Sequence, residues 1–88
     1  MKQNDPQPTL DVIVQNLNGE TWEGKATSVS AKNLEGNFDI LPYHANFMSI
    51  LLEGPLVIRT ETGEEKTLNL SESVIHLKDN LIRIYSSF

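Results

Sequence analysis

The stretch SVIHLKDNLIRIY, residues 73–85, decides the fold. Two short runs rich in Val, Ile and Leu flank Asp79-Asn80, two residue types that tolerate the left-handed backbone of a tight hairpin turn. With that pair as the turn, Lys78 faces Leu81, Leu77 faces Ile82, and Ile75 faces Ile84. Side chains alternate across a strand, so the four aliphatic residues fall on one face of the ribbon, as a half-buried sheet requires. His76 lies on the opposite face and reads as a solvent-facing strand residue.

The same chemistry recurs toward the start of the chain. PLVIRT (55–60) and EKTLNL (65–70) are separated by a turn at Glu61–Glu64 that contains Gly63. LDVIV (10–14) precedes Asn18-Gly19, the strongest two-residue hairpin signal, and ETWEGKATSVS (20–30) is the return strand. Gly24 is expected at a bulge or bend, and the register of this first hairpin stays open. Gly or Pro interrupts every attempt at a helical period. These patterns predict an all-β fold, a flattened barrel or two-sheet β-sandwich of mainly antiparallel strands. Essentially no helix is expected beyond a turn near residues 43–46. The expected core is Leu10, Val12, Val14, Ile40, Ile50, Leu56, Ile58, Ile75, Leu77, Ile82 and Ile84. Residues 1–9, polar and holding Pro6 and Pro8, are expected to form a flexible N-terminal arm, and residues 10–88 the sandwich domain.

With 88 residues there is room for one core. Twelve acidic residues against seven basic ones leave a net charge of −5. The cations are scattered from Lys2 to Arg83, so the basic stripe of a nucleic-acid or anionic-lipid binder is missing. The absence of Cys rules out disulfides and thiolate metal sites. No apolar run is long enough for a transmembrane helix, and MKQNDPQPT lacks the apolar core of a signal peptide. The chain is therefore expected to be soluble, with no direct membrane insertion.

Few residues invite a chemical reading. Asp39, His44 and Ser49 have the side chains of a nucleophilic triad, but their spacing is not diagnostic and no strand-turn-helix elbow surrounds Ser49. His44 and His76 lie far apart among scattered carboxylates, short of a metal ligand set. Trp22, Tyr43 and Tyr85 share no spacing, so packing is a better reading than a stacking platform. The expectation is no catalytic residue, no cofactor and no metal. EGNFDILPYHANFMSIL (35–51) reads instead as a shape. Gly36 frees a tight turn, FDIL is a strand ending at Pro42, and Tyr43-His44-Ala45 is forced into a corner suited to docking.

The run Glu35-Gly36, then Asp39-Ile40-Leu41-Pro42-Tyr43-His44-Ala45, then FMSILLEGPLVI, resembles the epsilon subunit of F-type ATP synthases. In that family a G-x-x-G-I-L-P-G-H-A segment precedes an apolar strand, a Gly turn and a strand like LVIR. WEGKATSVSA and SVIHLKDNLIRIY resemble its opening and closing hairpins, so the likeness spans residue 10 to about residue 86. Tyr43 and Asp39 stand where the family usually has Gly, and Glu72-Ser73 where it has Gly-Gly. No segment within residues 10–88 corresponds to the family's C-terminal helical hairpin.

The resemblance implies the N-terminal β-sandwich of a non-catalytic central-stalk subunit. Such a subunit couples gamma to the c ring of a proton- or sodium-translocating ATP synthase. It would lie in the F1 sector on the cytoplasmic face of the cell membrane, as a peripheral component. Leu34, Glu35, Gly36 and Asn37 match the c-ring-facing loop. Val14, His44 and Ser49 match the gamma-facing side, with Tyr43 at the same corner. No inhibitory arm and no ATP binding are expected. The alternative is a free-standing β-sandwich adaptor for another protein.

Overall fold

The computed structural model describes residues 7–19 and 21–87. Most of the expected N-terminal arm, residues 1–6, therefore lies outside the described residues. Eight strands follow one another: β1 Leu10–Asn16, β2 Thr21–Asn33, β3 Gly36–Ile40, β4 Phe47–Leu51, β5 Gly54–Thr60, β6 Glu65–Leu70, β7 Ser73–Lys78 and β8 Leu81–Ser86. No helix occurs among the described residues. The all-β sandwich expectation holds.

β2, 13 residues long, joins the two layers. Its first half pairs with β1, and β8, β7 and β4 continue that layer. Its second half pairs with β3 on one side and β5 on the other, and β6 pairs with β5. The register between β2 and β5 slips between Ala26 and Ser28, which places a bulge at Thr27 where the strand passes from one layer to the other. All pairings are antiparallel except that of β1 with β8, the first strand with the last. The sheet does not close on itself. Beyond the end of β4, the Leu52 amide donates to the Lys32 carbonyl of β2 at 2.9 Å.

Leu10, Val12 and Val14 of β1, Ile40 of β3, Leu56 and Ile58 of β5, Ile75 and Leu77 of β7, and Ile82 and Ile84 of β8 are buried in a single cluster. Ala26, Val29, Ala31 and Leu51 complete it. Ile50 is the exception to the expected core: it is 55% exposed, and Leu51 takes the inward position. FMSILL is apolar at nearly every position, so its composition carries no phase, and a one-residue slip exchanges the faces. Phe47, Ser49 and Leu51 point inward, leaving Met48 and Ile50 outside.

The closing hairpin has the expected register, with Asp79 and Asn80 both at positive φ. The first hairpin differs from a two-residue Asn18-Gly19 turn. Gln15 lies opposite Thr21, so the connection centres on Asn18 itself. The Gly19 amide donates to the Asn16 carbonyl at 3.2 Å and Gly19 has φ +84°, as in a type I turn followed by a left-handed residue. Gly24 makes no bulge, since β1 and β2 stay in register through Val12↔Gly24. Its role is spatial: a Cβ there would come within 2.9 Å of the Trp22 ring, which lies across it.

Candidate docking surface

Corner, hairpin tip and apolar face. At the β2–β3 hairpin tip, Asn33 faces Gly36, so Leu34 and Glu35 form the turn. The Asn33 side-chain oxygen accepts from the Glu35 amide at 2.9 Å, an Asx turn that stiffens the tip. Gly36 follows at φ +117°, a value that favours glycine. Leu34 is 85% exposed, and Glu35 and Asn37 are exposed beside it.

His44 comes to this tip from the other side. Asn33, Glu35, Gly36, Asn37, Phe38, His44 and Phe47 line one open pocket. Its floor is aromatic, because Phe47 meets both His44 and Phe38 edge to face, with centroids 5.3 Å and 6.0 Å apart. Ser49 joins the same neighbourhood, its hydroxyl accepting from the Asn33 amide group at 3.3 Å. The fold therefore gathers Glu35, Gly36, Asn37, His44 and Ser49. Val14 does not join them. It is 5% exposed within the core, opposite Trp22 on one side and Ile84 on the other, so its side chain is structural in the isolated domain.

Tyr43 occupies the corner proper. The His44 amide donates to the Leu41 carbonyl at 3.2 Å, closing a turn with Pro42 and Tyr43 at its centre. Tyr43 has φ +67°, the geometry of a type II turn, which asks for Gly at that place. The other substitutions of family glycines need no such geometry. Neither Asp39 nor Glu72 nor Ser73 has positive φ.

The triad side chains each have other partners. Asp39 accepts from the Ser30 hydroxyl at 2.6 Å, Ser49 bonds Asn33, and His44 Nδ1 lies 2.8 Å from the Ala45 carbonyl. The geometry here offers shape and apolar surface.

The surface feature that sequence reasoning missed is on the outer face of β4, β7 and β8. Ile50 faces Val74, which faces Tyr85; alongside them Met48 faces His76. Leu17 reaches the same shallow depression as Ile50, Val74 and Tyr85. Met48 is 67% exposed and Leu17 82%. A sheet layer apolar on both faces is normally covered on both. FMSILL, apolar out of phase as well as in phase, carries that signal. β4 also sits at the edge of its layer, paired only with β7.

An all-β sandwich with pinned corners and one uncovered apolar face defines the class: a small module whose distinctive surface suits protein contact. Residues 9–87 match the family described as ATP synthase, Delta/Epsilon chain, beta-sandwich domain, and the chain belongs to that family. An ATP synthase epsilon chain from Streptomyces avermitilis is 31% identical over 65 residues, covering 74% of this chain and 52% of the relative. The chain thus spans about half the length of that relative. A chain in the Euglena gracilis mitochondrial ATP synthase, OSCP/F1/c-ring in rotational state 1, superposes with a TM-score of 0.84 at 15% identity. That match covers 100% of this chain and 56% of the other. A chain in the Tetrahymena thermophila mitochondrial ATP synthase central stalk and c ring gives 0.76 at 18% identity, covering 96% and 67%. At such identities the two structures bear on the fold alone.

Proposed function

We propose that this domain is a non-catalytic rotor component that couples the gamma subunit to the c ring of a proton- or sodium-translocating F-type ATP synthase. In this reading it lies at the cytoplasmic face of the membrane as a peripheral part of the F1 sector. The observation that carries the reading is the uncovered apolar face of Met48, Ile50, Val74 and Tyr85, present on a member of this family. Burying one Leu- or Ile-sized side chain is worth roughly 1.5–3 kcal/mol, so such a face is the main source of affinity for gamma. His44, Ser49 and Tyr43 extend the contact around the corner.

The tip at Leu34–Asn37 is a separate, protruding contact for the c ring. Glu35 supplies a negative charge suited to basic polar loops. Because the tip shares its pocket with His44, a load arriving at one contact passes to the other through a few stacked aromatic and hydrogen-bonded groups. Transmitting torque needs stiff shape and buried area rather than activated groups.

Co-expression with the gamma subunit of the same organism tests the reading. A one-to-one complex should survive gel filtration, and Ile50→Lys should abolish it while leaving the thermal transition within a few degrees of the parent. A gamma subunit that ignores the parent domain would sink the reading in favour of an adaptor for another protein.

A further inference from the structure

Tyr43 is held in a backbone state that its residue type avoids. A left-handed conformation brings Cβ against the following carbonyl in any L-residue but costs glycine nothing. Pro42 sets the first half of the turn, and the second half falls on Tyr43. Its ring, 75% exposed, stacks on no other aromatic ring among the described residues, so packing does not hold the residue there. Such outliers persist only where surrounding structure over-determines them.

The over-determining contacts come from the closing hairpin. Asn80 accepts from the Tyr43 amide through Oδ1 at 2.8 Å, and through Nδ2 it donates to the Thr9 carbonyl at 2.8 Å. Its own carbonyl accepts from the Asp11 amide at 3.1 Å. One residue away, the Asp79 amide donates to Asn46 Oδ1 at 2.9 Å. The corner is thus bonded to the turn on both flanks, at Tyr43 and at Asn46. A single carboxamide ties it also to the entry of β1.

We propose that Asn80 is the positioning residue of the corner, fixing the left-handed Tyr43 so that its ring projects as a preset anchor for the partner. Without the side chain of Asn80, Tyr43 relaxes to negative φ and the corner re-forms with the ring elsewhere. The binding consequence rests on the gamma-docking reading above. The backbone consequence does not, and is measured in the isolated domain.

Asn80→Gly is the informative variant, because Gly accepts the positive φ at position 80 and Asp-Gly is a favoured turn pair. It removes the carboxamide without straining the hairpin. Asn80→Asp keeps the acceptor for Tyr43, and Tyr43→Gly removes the strain itself. By amide hydrogen exchange, Asn80→Gly should deprotect Tyr43 and His44 at least tenfold while Leu77 and Ile82 keep their parent rates. Asn80→Asp should leave Tyr43 protected. Tyr43→Gly should raise Tm by about 2–5 °C, the strain removed less the entropy of Gly. Unchanged exchange in Asn80→Gly, or a lowered Tm in Tyr43→Gly, overturns the positioning role. In titrations with gamma, Asn80→Gly should weaken binding about tenfold and Asn80→Asp about twofold or less. Parent-like affinity of Asn80→Gly, alongside deprotected amides, overturns the anchor while leaving the backbone assignment standing.

Discussion

The sandwich has two outer faces, and they differ in kind. Over β3, β2 and β5 the outward side chains form a polar lattice. Ser30 donates to Asp39, Arg59 Nη1 donates to Ser30 at 3.0 Å and to Ser28 at 3.3 Å, and Arg59 Nε lies 3.3 Å from Glu65. Over β4, β7 and β8 the outward positions include an apolar row of Ile50, Val74 and Tyr85, with Met48 beside it in a row that continues through His76 and Arg83. Both layers face the same core with the same aliphatic residues, so folding alone explains neither outer face. The polar lattice is what a sheet builds when water is its neighbour, each donor finding an acceptor within the face. The apolar row and Met48 gain nothing from water, and they gain from a second protein.

The comparison presumes that the layers are halves of one folding unit, and the largest expected effect tests this. Ile58→Ala in β5 and Ile84→Ala in β8 should each cost about 2–4 kcal/mol, as buried aliphatic truncations do. Urea unfolding followed by Trp22 fluorescence and by far-UV dichroism should show one coincident transition for both. Separate transitions would mean that the faces belong to independent units.

A smaller effect sharpens the contrast directly. Tyr85→Ala should weaken gamma binding by about 1–2 kcal/mol in a calorimetric titration, as loss of an aromatic anchor does. Arg59→Ala, on the other face, should bind within experimental scatter of the parent. Equal losses would erase the distinction between a docking face and a solvated one.

Arg59→Ala has its own cost in stability, about 0.5–1 kcal/mol, because exposed ion pairs and hydroxyl contacts are screened and partly replaced by water. That cost should shrink in 1 M salt, whereas the cost of Ile84→Ala should not. The smallest effect concerns Lys25, whose ammonium bonds Asp11 at 2.9 Å across the β1–β2 pairing on its exposed face. That hydrogen bond, then the charge of Asp11, raises the Lys25 pKa above its ordinary value. A raised cationic pKa gives stability that is present through neutral pH and lost as pH climbs past the folded value. Lys25→Met should therefore lower Tm by no more than a degree or two near neutrality, and match the parent in strong alkali.

What could be read from the sequence follows from where composition carries phase. SVIHLKDNLIRIY alternates around Asp79-Asn80, so the partners of Leu77 and Ile75 were legible. The Glu61–Glu64 turn was legible for a like reason, with charged residues between two β-rich runs. FMSILL has no alternation, so Ile50 was placed inside and Leu51 overlooked, and the apolar face went unseen with them. Gly24 signalled an irregular backbone, but its reason is the Trp22 ring, a contact that no turn rule contains. The return strand was read to Ser30, whereas β2 runs on to Asn33, since Lys32 and Asn33 carry no β signal of their own. At the site, Tyr43 in the place of a family Gly announced an unusual corner. The residue that bonds it, Asn80, lies 37 positions away and has no local signature.

The parallel zipper of β1 against β8 also bears on how the chain acquires its shape. Of the eight described strands, Leu10–Asn16 leaves the ribosome before the others and its neighbour Leu81–Ser86 after them. Until that final strand is free, β1 has one bare edge and β7 waits for the same partner. Ring closure over such a span is slow, since its entropy is lost before any contact forms. A nascent chain released up to Lys78 carries most of the core aliphatic side chains but lacks Ile82, Ile84 and the strand that joins β1 to β7. Assembly of this domain therefore waits for β8, and the interval before that strand arrives is when open strand edges are most exposed to one another.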